Sequence, residues 1–513
     1  MSWEWWPARV GARSLLSHGV SPLDRLGGRR VLAGLARNPS APEEVVLRLV
    51  NSPAASEVAC RCANITEGLA DELLGLGDVQ VACYLGYNNR LPTAIRWRLA
   101  THPDPTVRAT APRRISHDRV MSGCEIPVSL LERLAGDPDP QVRKEVAAHY
   151  DTPAGTRRRL AADLDPQVRA AVSQWWTDPP PEVHRALLTD AEPAVRAAAL
   201  SPWHPPPPED LHPLLLTDPL TCADVVPHLK LTHERTATLA ASTDEAVRAA
   251  LAAHPELPEE TRQSLAADPE ITVRICVLLS RHTPEGTRAR LHAALTDSGL
   301  GRADSWITSY YLGNAWKDQG LQGWVWDAPL QQRLAYLNSP YPFLRRAAAA
   351  PGGLPIETVM RLLKDPDIQV RRIAARGATN VPGQELERLV REHGEDPSVS
   401  PRLVEHPNFP PQAFPRLAQA DQAHLRGLAL HSDDLPAALV DALATDPEPS
   451  VRCAAAQHRN LSASCLPTLL TDDDPQVVEA AGAAPAFPIP WMHQLLDAIE
   501  APDQTESTRR THT

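Results

Sequence analysis

The chain has 513 residues, 52 of them proline and only 23 aromatic, a proline share about twice the usual one, so it does not read as a row of ordinary compact domains. Apolar residues make up 43% and run along the whole length, which excludes general disorder. The net charge of -12 argues against a protein that coats nucleic acid or an anionic membrane; only residues 1–120, at +4 against -16 for the remainder, could form an anion-binding end.

The first residues, MSWEWWPARVGARSLLSHGV, lack the uninterrupted apolar core of a signal peptide. No apolar stretch along the chain reaches the roughly 18 residues of a membrane span. Eight scattered cysteines do not read as a disulfide framework. Reduced thiols and a cytoplasmic location are the expectation. Residues 1–30, with Trp3, Trp5 and Trp6, lack the pattern that follows and read as an N-terminal cap.

From Val31 onward the chain repeats itself, as VRKEVAAHYDTPAGTRRRLAADLDPQ from Val142 and VRAALAAHPELPEETRQSLAADPEIT from Val247 show. Sixteen anchors can be placed, at Val31, Val58, Val81, Val107, Val142, Val168, Val195, Val225, Val247, Val273, Leu344, Val370, Val399, Leu425, Val451 and Val477. Seven of the fifteen intervals are 26 residues. A cryptic unit near Asp318 keeps the spacing through Pro329 and Pro340 and makes about seventeen. The residue four after each anchor is apolar, the spacing of a short helix with one buried stripe, helix A. Asp-Pro ahead of it, as at Asp268, Asp365 and Asp446, suggests an aspartate N-cap followed by a tolerated proline. Helix A stops at a recurrent polar position: Asn38, Asn88, His149, His254, His406 and His458. A second proline eleven residues after the anchor, including Pro42, Pro92, Pro153, Pro258, Pro355, Pro410 and Pro488, opens helix B. Its core residue is a leucine eighteen after the anchor, such as Leu99, Leu160, Leu265, Leu291, Leu362, Leu417, Leu443, Leu469 and Leu495.

Helices of about eight residues are marginal alone, so the pairs must stack into an all-α solenoid. At roughly 8–10 Å between packed helices, seventeen units give an extended array on the order of 150 Å long. Ten units carry arginine directly after the anchor. An aspartate six residues before many of them points to Asp–Arg bonds that fix register between units, in preference to a phosphate-binding ladder.

In the order valine-arginine, Asn/His-Pro, second proline, leucine and Asp-Pro, residues 31–499 resemble the leucine-rich repeat variant family and, through the aspartate-to-arginine spacing, HEAT repeats. The resemblance implies a right-handed superhelix of about 17 two-helix repeats of ~26 residues, with short α-helices alternating with tighter 3₁₀-like ones. Such solenoids mostly serve as binding scaffolds and share no active site.

A founding member of that family carries an iron–sulfur cluster ahead of its repeats, which directs attention to Cys60, Cys62, Cys83 and Cys124. Residues 1–30 hold no cysteine, Cys60, Cys83 and Cys453 fall at equivalent repeat positions, and the spacing matches no compact metal motif. Nucleophile elbows, phosphate-cradling glycine loops, H-E-x-x-H and C-x-x-C pairs are absent. The helix-end histidines read as caps, as do Asp137, Asp139 and Asp472–Asp474. No catalytic residue, cofactor or metal is expected.

The segment 297–317 interrupts the repeat. With Trp324 and Trp326 just beyond it, Trp306, Tyr310, Tyr311 and Trp316 place six of the 23 aromatic residues within 21 positions. They form either a plug in the stack or an aromatic anchor for a partner. Trp175, Trp176 and Trp203 read as repeat core. The chain divides into a cap at 1–30, solenoid at 31–296, the aromatic insertion at 297–317, solenoid at 318–499 and a polar, disordered tail at 500–513. The reading is a non-enzymatic scaffold binding a protein partner through its groove or the insertion. The alternatives are an iron–sulfur or metal-binding redox protein and a HEAT-like nucleic-acid-binding protein using the first 120 residues.

Overall fold

A computed structural model describes residues 26–88, 90–113, 126–201, 204–297, 324–393 and 400–500. Among the described residues every regular element is a helix, and none is long and apolar enough to cross a membrane. The expected N-terminal cap over residues 1–25, Trp203, the bulk of the aromatic insertion and the tail from 501 lie outside the described residues.

Helix A begins as the Asp-Pro dipeptides require, with one shift of position. Asp139, Asp165 and Asp474 are the N-caps: each has extended backbone, its carboxylate accepts the N–H of the residue two further on, and proline is the first helical residue. Asp268, Asp365 and Asp446, nominated above as caps, sit two residues upstream of the true cap. Their carboxylates accept the backbone N–H of Glu270, Asp367 and Glu448 at 2.9, 2.8 and 2.9 Å. They close a turn ahead of the helix.

Helix B follows the second proline, which is its N-cap residue: Pro42, Pro153, Pro258 and Pro355 hold φ between -70 and -56° and lend their carbonyls to the first bonds. Arg157 N–H, for example, donates to Pro153 O at 2.9 Å. Because these four-residue bonds form from the start, most second helices are α-helical over seven or eight residues. The alternation of α and 3₁₀ helices implied by the family resemblance is therefore corrected: among the described residues 3₁₀ turns occur at Glu209–Leu211, Val226–His228 and Ala463–Cys465.

The core follows the register closely. All sixteen residues four after an anchor are buried, from Leu35, Leu85 and Leu251 to Ala455 and Ala481, each large one stabilising by about 1.5–3 kcal/mol. The leucines eighteen after the anchor are buried from Leu99 to Leu469. In the last helix, Ile489–Glu500, the inward positions are Met492 and Leu496 while Leu495 is half-buried, a register one residue later than expected.

The chain divides into two compact units, one of residues 135–381 and one combining 1–134 with 382–513. In the first, A helices stack in sequence: Pro140–Ala148 on Pro166–Trp175, that helix on Pro193–Ala199, and Glu245–Ala253 on Ile271–Leu279. In the second, Ala423–Ala429 packs on Pro449–Gln457 and the latter on Pro475–Gly482.

The next neighbour of Pro475–Gly482 is the first described helix, Leu26–Arg37. The two cross at Gly34 and Gly482. A Cβ on Gly34 would lie 2.8 Å from Gly482 Cα and against the Glu479 carbonyl, and one on Gly482 would lie 2.5 Å from Val31 O, so only glycine permits this approach. Arg30 and Arg37 both pair with Glu479, the first at 2.7 Å. Asn38 Nδ2 donates to Gly482 O and Ala484 O at 3.0 and 2.8 Å. Between the B helices Arg48 meets Asp497 at 2.7 Å and His493 lies 3.3 Å from Glu44. The first and last described repeats thus pack on each other.

Candidate interaction surface

The arginine ladder is internal, with a geometry the sequence half indicates. Arg143 makes a two-pronged bond to Asp163, twenty residues later, at 2.7 and 2.8 Å, and Arg169 does the same to Asp190. Arg248–Asp268, Arg345–Asp365, Arg426–Asp446 and Arg452–Asp472 repeat it. The residue six before the arginine contributes its backbone carbonyl: Arg169 Nη1 donates to Asp163 O at 2.8 Å, Arg452 Nη1 to Asp446 O at 2.7 Å. Asp163, Asp190, Asp268 and Asp446 therefore serve the preceding repeat through their carboxylates and their own repeat through their carbonyls. That planar double bond requires arginine. The Arg169 bond holds the Asp190 carboxyl below the ordinary carboxylate range, against the opposing effect of burial.

The helix-end residues form a second internal ladder. Asn88 Oδ1 accepts the Arg90 N–H at 2.9 Å while Nδ2 donates to Cys62 O at 2.9 Å in the preceding repeat. His254 does the same with a ring: Glu256 N–H donates to Nδ1 at 3.1 Å, and Nε2 faces Leu229 O at 3.0 Å. The backbone donor fixes Nδ1 as acceptor, hence the neutral tautomer with the proton on Nε2. Burial accordingly pushes the His254 pKa down. His204, His228 and His292 are pushed down as well, burial being the first cause in each.

A histidine depressed in the folded state adds stability that is complete above its unfolded value of 6.5 and is lost as pH falls through the folded value. We expect urea stability to decline below about pH 6.5. His254→Asn, which keeps both bonds as Asn88 does, should take up one proton fewer on unfolding and flatten that decline. An unchanged pH slope in this variant would remove His254 from the account.

A third set escaped the sequence reading. Arg96, Arg157, Arg262 and Arg288 are buried at fifteen residues after their anchors. They reach the carbonyls at helix A ends: Arg157 to His149 O, Tyr150 O and Trp175 O, Arg288 to Leu278 O, Ser280 O and Thr283 O. The carbonyl ends of helices favour a cation. The signal was present as a recurrent arginine inside helix B, masked by the abundance of surface arginine.

Cys60, Cys62 and Cys83, the described members of the cysteine set, belong to no cluster that could hold a metal ion. Among the described residues no group of three or more His, Cys, Asp or Glu side chains could hold a metal ion; Cys124 lies outside them. Burial raises the thiol pKa of Cys60, Cys62 and Cys83 and pushes Cys453 and Cys465 up to about 11, which leaves little thiolate at neutral pH. The basic N-terminal part is also engaged internally, through Arg30 and Arg37 on Glu479, Arg98 on Glu67, and Arg96 on Ala111 O.

Of the aromatic candidates, Trp306, Tyr310, Tyr311 and Trp316 lie outside the described residues. Trp324 and Trp326 are half-buried on either side of buried Val325, and the Trp324 ring stands edge-on to Tyr336 at 5.4 Å. Trp176 is buried, with the Arg157 guanidinium 5.9 Å from its ring centre, whereas Trp175 is 43% exposed and is no core residue. Trp175 is the last residue of its helix, whereas Trp176, at φ -99° and ψ 89°, already has non-helical backbone.

No protein-family model matches the chain, and no curated protein does. Among solved structures it is similar to a Kap121p mutant at 12% identity over 97% of this chain and 54% of that one, with a TM-score of 0.24. It is also similar to an engineered protein at 15% identity over 92% of this chain and 99% of that one, with a TM-score of 0.13. The chain spans about half the length of the Kap121p chain. At such scores the likeness carries no inference, and the all-α helical-repeat architecture rests on the helix contacts of the chain itself.

Proposed function

We propose that the chain is a non-enzymatic scaffold of right-handed, leucine-rich-repeat-variant type, which binds a protein partner through its repeat surface or through the aromatic segment Trp306, Tyr310, Tyr311, Trp316, Trp324 and Trp326. The observation that carries the reading is the internal use of the repeat's recurrent polar groups. The arginine ladder meets carboxylates of the following repeat and carbonyls of its own, and the helix-end Asn and His residues bond to the preceding repeat. A chain whose recurrent charges stabilise its own stacking has side-chain surface left to offer a ligand, and tryptophan is the residue type that most often dominates such contacts. Seven described cysteines are free thiols, in keeping with a reducing compartment such as the cytoplasm.

Affinity purification from native cell extract should compare the wild type with a variant in which Trp306, Trp316, Trp324 and Trp326 are alanine, its fold checked by circular dichroism. Loss of a specific protein from the variant, with affinity lowered by at least about 30-fold for one removed hot spot, places recognition at the aromatic segment. Equal retention by both places it on the repeats, and capture of nucleic acid in place of a protein sinks the reading.

A further inference from the structure

The contact between the first and last repeats is built like a contact between consecutive repeats. Asn38, seven residues after its anchor, donates to Ala484 O, itself seven after the last anchor; His458 and Ser432 O have the same relation inside the array, at 2.9 Å. Helix A lies on helix A, as it does along the stack.

One thing differs. Consecutive repeats are joined by a few residues of chain, whereas Asn38 and Gly482 are 444 residues apart in sequence. The tether that keeps interior neighbours together does not act directly here. The contact is maintained by its surfaces and by the effective concentration of one end at the other.

Those surfaces are unlike and complementary. One presents Arg30, Arg37 and Arg48; the other presents Glu479 and Asp497, and Gly34 meets Gly482 between them. Two copies of the first surface would set arginine against arginine. A first surface and a last surface fit equally well whether they belong to one chain or to two, the arrangement from which element exchange between copies arises.

We infer that this junction is exchangeable, so that a second copy of the chain is a partner, the first repeat of each copy seated on the last repeat of the other. The inference stands apart from the scaffold reading, since it requires no other protein.

The test uses full-length chains with one charge reversed on each side: Glu479→Arg in one chain, and Arg30→Glu with Arg37→Glu in another. Each alone should keep its helix content, lose hydrogen-exchange protection over residues 26–50 and 475–500, and sediment as a single chain, because both cis and trans pairings are mismatched. Mixed, the two should form a two-chain species with protection restored. A third chain carrying all three reversals should regain protection by itself. If the third chain recovers while the mixture stays at single-chain mass, the junction forms only within a chain and the inference fails. It fails equally if the single-side variants keep full protection, since the ion pairs then do not govern the contact. As an independent measurement, wild-type protein refolded from denaturant at rising concentration should yield a growing two-chain fraction; its absence at every concentration overturns the inference.

Discussion

Replacing Gly34 by alanine should loosen the first repeat from the last, even though alanine is the better helix former. The added methyl would meet the Glu479 carbonyl and lie 2.8 Å from Gly482 Cα, both backbone groups that can yield only if one helix moves away from the other. Overpacking of this kind costs about 1–3 kcal/mol, more than the roughly 1 kcal/mol that alanine gains over glycine in a helix. Gly68 supplies the control: it lies in the helix Glu67–Gly75 with nothing within 4 Å of an added Cβ, so Gly68→Ala should stabilise by about 0.5–1 kcal/mol. Urea denaturation and hydrogen exchange over residues 26–50 and 475–500 measure both. Equal stabilisation by the two substitutions would show that the helices do not meet at Gly34.

The second large effect is expected at Arg262. Its guanidinium is 2% exposed and donates to Leu257 O at 3.2 Å, Ser280 Oγ at 3.1 Å and Ala252 O at 3.5 Å. Arg262→Met keeps much of the side-chain volume, leaves Leu257 O and Ala252 O without this donor and leaves Ser280 Oγ with the His282 N–H at 3.4 Å, at about 1–3 kcal/mol for each carbonyl left unsatisfied, or about 2 kcal/mol or more in all. Arg262→Lys should recover part of the loss, since a single ammonium cannot span the positions reached by a planar fork. In a stacked array the damage is confined to nearest neighbours, so exchange should rise first in Glu245–Ala253 and Ile271–Leu279. A methionine variant as stable as the wild type would mean that water satisfies these carbonyls.

Much of the stack was legible because its signals are local. The anchor and the residue four later lie on one helix face and are buried together, as in Val247 with Leu251 and Val142 with Val146. Asp-Pro and the second proline restrict the backbone over two or three residues, which fixed where helices start to within two positions. The assignment of Asp268 and Asp446 to N-caps failed because two polar positions compete in that turn. The carboxylate that caps and the carboxylate that receives an arginine twenty residues earlier have the same local sequence, and only the neighbouring repeat distinguishes them.

The aromatic segment was conspicuous as composition, but composition does not tell a plug from a contact surface. Trp175 and Trp176 show the difficulty in miniature: adjacent and chemically identical, one is 43% exposed and the other 8%.

What the sequence by itself determined is the repeating unit: an all-α chain of short helices, with its buried stripe, its stops at Asn and His, and its internal rather than ligand-directed arginines. These follow from backbone restriction and periodicity within some 26 residues. Tertiary structure alone decided which repeats are neighbours. That Leu26–Arg37 lies on Pro475–Gly482, with Gly34 facing Gly482 and Arg37 facing Glu479, joins residues more than 440 apart in sequence. No local pattern records that pairing, because each unit specifies its contact with the next one and a partner 444 residues away lies outside any repeat-length window.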